Sequence, residues 1–292
     1  MLENTQYDLS TILQGEDKHL YDARSQMVVK ANELIQKSRF NLSLQQQKIV
    51  LYLISQITPY DEDFRTYEFS INEFCKVCGI DESSGKNYLD LKTAIKDIAD
   101  QSVWVTLPNG QETLLRWIEK PYINANSGLV RIRLDEDMKP YLLQLKQNFT
   151  KYELIWTLSF RCKYSTRLYE LIKSIHYNEL ETYERTYNLA ELKRILGAEN
   201  YNIYNAFKTR VLDPAIKEIN EFSDKTLTYF PLKTGRAVDR IKFIIESKDG
   251  VETLSRRLEL EEKYLTRSSR RSDDQMALWD FDEEEETVAS SQ

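Results

Sequence analysis

The fold is decided by the stretch Phe69-Ser70-Ile71-Asn72-Glu73-Phe74-Cys75-Lys76-Val77-Cys78-Gly79, which returns as Tyr187-Asn188-Leu189-Ala190-Glu191-Leu192-Lys193-Arg194-Ile195-Leu196-Gly197. The two copies lie 118 residues apart (187 − 69), and the match continues where Ala94-Ile95-Lys96-Asp97-Ile98 corresponds to Ala215-Ile216-Lys217-Glu218-Ile219. This spacing is too long for a solenoid repeat and is about the size of a small domain. The sequence therefore predicts two related domains in tandem.

The net charge of −7 is unevenly distributed along the 292 residues. Residues 1–150 carry 17 basic and 21 acidic side chains, residues 151–248 carry 17 and 13, and residues 249–292 carry 6 and 13. The second repeat is therefore basic, and the C-terminal segment holds the excess acid. This distribution permits a polyanionic partner such as DNA, against which the whole-chain charge alone would argue.

Composition also bears on membrane association, on the redox state of the cellular compartment and on metal or cofactor binding. The chain has no apolar run of about eighteen residues and no basic, apolar signal segment at its polar N-terminus, so we expect no membrane association. Its three cysteines show no pairing pattern, which fits a reducing cytoplasm. Cys75 and Cys78 form a CxxC that is either part of the core or half of a zinc site, but no second ligand pair accompanies it. We predict neither a metal nor a cofactor.

Around each copy, the sequence predicts the same order of elements: helix, short helix, long helix and β-hairpin. Ser43 is the predicted N-cap of the first such helix, and Asn109-Gly110 is a typical hairpin turn. Further helices are predicted over 86–100 and 136–147, and over 157–177, 189–196 and 201–221. This order is that of a winged helix-turn-helix. We therefore predict an α+β protein with a flexible arm (1–25), two winged-helix domains (26–150 and 151–248), and an extension helix followed by a mostly disordered acidic tail (249–292).

In a helix-turn-helix, early residues of the second helix face base edges. At 100° per residue, Tyr204, Phe207 and Val211 share the core side of helix 201–221. Asn and Arg can pair bidentately with adenine and guanine, and a flanking Lys is better placed for phosphate. The alternative is an ordinary solvated helix face. The predicted reading face consists of Asn202, Asn205, Lys208, Thr209 and Arg210.

A basic hairpin follows this helix and would form the wing. Cations on and after one tight turn suit phosphate contact, although plain solubilising charge is the alternative. The wing residues are Lys233, Thr234, Gly235, Arg236 and Arg240, and the helix preceding the repeat adds Arg161, Lys163, Ser165 and Arg167. In the first copy the equivalent positions offer only Lys86 and Thr93, and the wing has no cation. We therefore expect the first domain to be better suited to protein contact, with auxiliary contact to the DNA backbone.

The sequence resembles the initiator Rep proteins of theta-replicating, iteron-carrying bacterial plasmids. The resemblance runs from about residue 28 to 247, and four stretches carry it: Asn41-Leu42-Ser43-Leu44-Gln45-Gln46-Gln47-Lys48, Ser165-Thr166-Arg167-Leu168-Tyr169-Glu170-Leu171, 207–220, and Lys233-Thr234-Gly235-Arg236 through Phe243. It implies paired winged helices that bind direct repeats in double-stranded DNA as monomers. It also implies dimers, formed chiefly through the first domain, that repress their own gene. The second domain is then the main repeat reader.

The tail suggests a separate role. Val251, Leu254, Leu258 and Leu265 form one stripe of the predicted extension helix. Further on, a glutamine precedes two apolar anchors in an acidic setting, which resembles the peptides that bind the bacterial sliding clamp; a plain acidic tail is the alternative. The candidate clamp-binding residues are Gln275, Met276, Leu278 and Trp279.

The sequence does not indicate catalysis. His19 and His176 lie far apart and cannot form the His-x-His site of nicking initiators, and no Gly-x-x-x-x-Gly-Lys loop is present for ATP. Our leading hypothesis is a DNA-binding plasmid replication initiator that recruits host replication proteins such as the helicase or the host initiator. A winged-helix transcriptional regulator is the alternative, and a nicking endonuclease is a third reading.

Overall fold

The computed structural model describes residues 13–80, 85–107, 109–124, 126–176 and 182–264, with the backbone alone for 85–88. Its helices are α1 (Gly15–Ser25), α2 (Asn32–Lys37), α3 (Leu44–Ser55), α4 (Ile71–Cys78), α5 (Gly85–Asp100), α6 (Lys139–Leu142), α7 (Ile155–Leu158), α8 (Lys163–Lys173), α9 (Leu189–Leu196), α10 (Tyr204–Phe207) and α11 (Asp213–Phe222). Its strands are β1 (Met27–Ala31), β2 (Ser38–Arg39), β3 (Tyr67–Ser70), β4 (Ser102–Thr106), β5 (Glu112–Arg116), β6 (Tyr122–Ile123), β7 (Leu129–Ile132), β8 (Phe149–Glu153), β9 (Tyr183–Asn188), β10 (Lys225–Thr234) and β11 (Ala237–Ser247). A C-terminal helix covers 250–264.

The sequence repeat is a structural repeat. Helices α4 and α9 each begin at a side-chain cap, Ser70 or Asn188, because these side chains accept a hydrogen bond from the first turn. Each ends at a glycine in the left-handed region, Gly79 (φ 63°) or Gly197 (φ 65°). Their apolar sides are buried at matching positions. The predicted α+β order of helix, short helix, long helix and hairpin is confirmed in both halves.

The sheets of the two halves differ. In the second half, β9, which precedes α9, joins the hairpin β10–β11 in one antiparallel sheet, with Tyr187 opposite Ile241. In the first half, β3 pairs with β7 instead, while the hairpin β4–β5 pairs with β2. Only the second half therefore links the hairpin directly to the strand that leads into its helix-turn-helix.

Buried polar contacts join the two halves, and we call this contact the seam. Lys30 on β1 lies 2.6 Å from the carboxylate of Glu170 on α8, and both side chains are almost fully buried. Gln47 on α3 donates to the carbonyl of Lys163 at 2.8 Å. Strand β8 also belongs to the seam, because it pairs with β1. The predicted domain boundary at 150/151 falls inside this strand.

At Gly197 the backbones of the two halves approach each other closely at the seam. A Cβ placed there would lie 2.9 Å from the carbonyl oxygen of Phe40, whereas one at Gly235 (φ 64°) would meet nothing within 4 Å. We expect Gly197→Ala to lower the free energy of unfolding by about 2–3 kcal/mol and Gly235→Ala by only about 1 kcal/mol, because both bear the left-handed strain but only the first also clashes. Urea unfolding of both variants measures the difference, and equal losses would contradict this packing.

The segment 1–25, predicted to be a flexible arm, contains a helix that packs against the rest of the chain. Residues 15–25 form α1, in which Arg24 is buried and its guanidinium contacts the Glu261 carboxylate at 2.9 Å. Glu261 lies on the C-terminal helix, so the two ends of the described chain are joined by a buried ion pair. Residues 1–12 lie outside the described residues.

Several predicted helix bounds are wrong. In place of helix 136–147, a 3-10 turn over Glu136–Met138 leads into the short α6. In place of helix 157–177, α7 and α8 are separated by a break over 159–162. The C-terminal helix exists, but Val251 is 80% exposed and Leu254 38%. Its buried residues are Leu260, Glu261 and Tyr264, so the predicted apolar stripe is also wrong, and Leu265 lies outside the described residues.

The described residues bear on the predictions about membrane spans, cysteines and metal sites. Over these ranges, every helix is too short or too polar to cross a bilayer. Cys75 and Cys78 are buried in the core side of α4, and burial raises the pKa of the Cys78 thiol to about 12. Among the described residues there is no group of three or more His, Cys, Asp or Glu side chains able to hold a metal.

Candidate nucleic-acid interface

The recognition helix of the second half runs from α10 through a π-helical turn into α11. Phe207 and Val211 are fully buried on its inner side, as the helical period predicts. Asn205, Thr209 and Arg210 are exposed on its outer side. The helix therefore presents a polar surface that carries both an amide and a guanidinium.

The predicted continuous α-helix over 201–221 is wrong in two respects. The helix begins at Tyr204, so Asn202 is an exposed residue of the preceding loop. It also contains a π-helical turn over Lys208–Leu212. Pro214 explains this turn, because in an α-helix its ring would clash with the carbonyl of Arg210 and it has no N–H to donate there. A π-helical turn is wider than an α-helical one and relieves that clash, and it includes the exposed Thr209 and Arg210.

The exposed polar side chains differ in how free they are. The Thr209 hydroxyl donates to the Asn205 carbonyl at 2.9 Å, so it is turned back onto the helix. The Lys208 ammonium donates to the Asp213 carboxylate at 2.6 Å. Over the described residues, the side chains of Asn205 and Arg210 have no hydrogen-bond or ion-pair partner. These two are the groups best placed to meet a base edge.

Side-chain hydrogen bonds join the helix to the wing. The Tyr229 hydroxyl on β10 donates to Asp213 at 2.7 Å, and Asn220 on α11 pairs with both the N–H and the carbonyl of Leu227. Desolvation would raise the pKa of Asp213, but hydrogen bonds from Lys208 and Tyr229 hold it below its ordinary value. Asp213 therefore stays charged and fixes the base of the wing against the helix.

The wing ends in a two-residue turn, Gly235-Arg236, between Thr234 and Ala237. Gly235 adopts φ 64°, which favours glycine. Lys233 and Arg236 are exposed, and within the described ranges neither has a side-chain partner.

Two other wing residues are held by a neighbour. The Thr234 hydroxyl donates to Asp239 at 2.7 Å, and Arg240 lies 3.5 Å from the same carboxylate. The tip of the wing thus carries two available cations, Lys233 and Arg236.

Two predicted contacts on α8 are contradicted by burial. The Ser165 hydroxyl is buried and donates to Glu218 at 2.6 Å. Arg167 is 4% exposed and stacks over Phe40, with its guanidinium 4.2 Å from the ring centroid. It donates to carbonyls of Ile35 and Ser38 on one side of the seam and of Ile195 on the other. Burial lowers the pKa of Arg167 to about 10, so it stays charged at neutral pH.

Of the two remaining predicted cations of this region, Lys163 lines an open cleft at the seam and Arg161 does not. Lys163 donates to the Asn41 side chain at 2.9 Å, while Arg161 is exposed with its N–H bonded to Glu218. The cleft measures about 700 Å³ and is also lined by Arg39 and Arg194. Sequence reasoning missed these two arginines, because nothing in the linear pattern places β2 beside α9.

The equivalent helix and hairpin of the first half have fewer exposed polar and cationic side chains among the described residues. Thr93 on α5 is exposed, but Leu89 on the same helix is 61% exposed where the second half has Asn205. The side chain of Lys86 lies outside the described residues. At the hairpin, Asn109 accepts from the N–H of Gln111, and the described turn residues carry no cation. The predicted clamp-binding residues Gln275, Met276, Leu278 and Trp279 also lie outside the described residues.

The two histidines lie in unrelated settings. His19 is exposed beside Glu73 at 3.0 Å, and His176 is buried and stacked on Tyr183. Their positions on α1 and after α8 do not bring them together.

Comparisons with known proteins agree with this architecture. The family model "Initiator Replication protein, WH1" matches residues 27–173, and the model "Initiator Rep protein, WH2" matches residues 188–245. A replication initiation protein of Escherichia coli is 30% identical over 228 residues, which cover 75% of this chain and 69% of that protein. A crystal structure of the Pi initiator protein in complex with iteron DNA has the same fold, with a TM-score of 0.64 at 20% identity over 77% of this chain and 99% of that one. The chain therefore belongs to the initiator Rep protein family and carries both of its winged-helix domains.

Proposed function

We propose that this protein starts plasmid replication by binding direct repeats in double-stranded DNA, with the second winged helix as the main reader. The observation that carries the proposal is the coupling of two surfaces. Asn205 and Arg210 are exposed on a helix that a hydrogen bond between Tyr229 and Asp213 joins to the wing. The cations at the tip of that wing have no partner among the described residues. Cations at the wing can position the protein on phosphates while the helix pairs with base edges. The Pi initiator, which shares the fold and was crystallised with iteron DNA, supports a DNA-binding function.

The first winged helix is proposed to act mainly in self-association. Trp104 and Leu114 face each other across the hairpin β4–β5 and are 43% and 50% exposed. Strand β5 is also an edge of its sheet, which leaves backbone groups for another strand. A dimer formed here would leave the monomer as the form that occupies repeats and the dimer as a repressor of its own gene. Recruitment of the host helicase, the host initiator and the sliding clamp completes the proposal.

Footprinting on the DNA that flanks the gene tests this function. We expect protection of several direct repeats about two helical turns apart, with intact strands throughout. Protection of a single palindrome at the promoter would favour a transcriptional regulator instead. Strand cleavage with protein attached to a 5′ end would contradict binding-only chemistry. Lys151→Ala, which removes an exposed cation on β8 away from the wing, is the matched control and should leave the footprint unchanged.

A further inference from the structure

The recognition helix begins at a residue that breaks the local rule for helix starts. Ile203 is the N-cap of α10, yet it makes no side-chain cap and is 69% exposed. Ser, Thr, Asp and Asn are strongly preferred at such positions. In this chain Ser43, Ser70 and Asn188 cap α3, α4 and α9 by that rule, whereas α1, α2 and α8 also begin without a side-chain cap. What sets Ile203 apart is that a large apolar side chain at the N-cap is left in solvent.

The exposure of Ile203 is built into the fold. Two tyrosines close to it in sequence, Tyr201 and Tyr204, pack against the core. The Tyr201 ring contacts the Tyr164 ring at 6.2 Å, and its carbonyl accepts from the Lys193 ammonium at 2.6 Å. The backbone at Ile203 is extended (φ −89°, ψ 127°), so the chain passes from one anchored tyrosine to the next. Ile203 is thus held outward at a fixed place.

The neighbours of Ile203 indicate the size of its partner. Its nearest exposed neighbours along the chain, Asn202 and Asn205, are both polar. Along the chain, the exposed apolar surface at Ile203 is therefore about one side chain wide. A protein partner would need a broader apolar patch. In the major groove, the 5-methyl group of thymine is the apolar group on a base edge, and amide or guanidinium side chains cannot recognise it. The partner that fits is therefore a methyl group of that size.

We propose that Ile203 is a specificity-determining residue that contacts the thymine 5-methyl group in the bound repeat. This inference rests on the proposed function, because the start of the recognition helix must enter the major groove. It adds an apolar contact to the pairing of Asn205 and Arg210 with base edges. One position of the repeat would then be distinguished as thymine by its methyl group rather than by its hydrogen bonds.

Deoxyuridine substitution tests the contact, since it removes the methyl group and keeps the base pair. The binding sequence is first selected from a randomised duplex library with the full-length protein. Each thymine is then replaced singly, and dissociation constants are measured for wild type, Ile203→Ala and the control Val251→Ala, which truncates an exposed residue of the C-terminal helix. At one or two positions we expect uracil to weaken wild-type and Val251→Ala binding about fourfold.

Ile203→Ala should bind the thymine site about fourfold more weakly and lose nothing further with uracil. Its salt dependence should match wild type, because no phosphate contact is removed. Uracil insensitivity of the wild type at every position would overturn the inference, as would equal uracil sensitivity in Ile203→Ala. In both cases sequence-specific binding would stand. If selection yields no preferred sequence at all, the proposed function fails first and the inference with it.

Discussion

Arg210→Ala is expected to weaken binding to the selected repeat about 10- to 100-fold while leaving binding to unrelated DNA nearly unchanged. A bidentate arginine–guanine pair contributes about 1–3 kcal/mol of discrimination, and Arg210 is exposed on the recognition helix with no partner among the described residues. The loss should be concentrated at one guanine position of the repeat. Competition titration with single-base variants of the repeat measures it. If all sequences weakened equally, Arg210 would be a phosphate contact instead.

The wing should behave in the opposite way. Arg236 lies at the turn of the wing, so Arg236→Ala is expected to weaken all sequences to a similar extent and to lower the salt slope by about one ion. The measurement is the logarithm of the binding constant against the logarithm of salt concentration. Lys151→Ala, the control for charge removal, should leave the slope unchanged. An unchanged slope in Arg236→Ala would show that the wing assignment is wrong.

Lys30→Met is expected to lower the free energy of unfolding by about 3–5 kcal/mol, the usual cost of removing one partner from a buried ion pair. Of its hydrogen bonds and ion pairs among the described residues, the carboxylate of Glu170 would keep the hydrogen bond from the Tyr152 hydroxyl at 2.6 Å. Burial lowers the pKa of Lys30, whereas Glu170 acts to raise it, so the ammonium depends on this one partner. The seam would therefore lose its central charge pair.

Denaturant unfolding measures this effect. The double variant Lys30→Met with Glu170→Gln should recover part of the lost stability, because position 170 then no longer carries a buried carboxylate that lacks its lysine. Lys96→Met, which breaks the exposed pair between Lys96 and Asp100, should change little. Similar small losses in both single variants would contradict the importance of the seam pair.

Much of the scaffold was predictable because its signals are local. The caps of α4 and α9 and the glycines that end them lie within eleven-residue stretches, and their repetition identified the two halves. The exposed face of the recognition helix followed from the helical period. These features depend on residues close in sequence.

The errors arose where the deciding partner is distant in sequence. Arg167 looks like a surface cation near a helix start, but the carbonyls that bury it come from Ile35, Ser38 and Ile195. The Ser165 hydroxyl likewise donates to Glu218, a residue distant in sequence, and is buried by that contact. Pro214 was a local signal for the π-helical turn. The prediction missed the turn because it assumed a regular α-helix with 100° per residue. The pairing of β3 with β7 has no counterpart in the sequence repeat.

The central claim is that two similar winged helices divide the work unequally. The second half joins a readable helix face to a cationic wing, while the first half has Leu89 on its helix and no cation at its described hairpin turn. Buried polar contacts at the seam join the two halves. The claim is therefore about which half carries the base preference.

The most direct test is site selection from a randomised duplex library with two matched double variants, one in each recognition helix. Asn205→Ala with Arg210→Ala should erase most of the base preference. Leu89→Ala with Thr93→Ala should leave the selected sequence essentially as for wild type. The account is contradicted if the first-half variant loses the preference and the second-half variant keeps it.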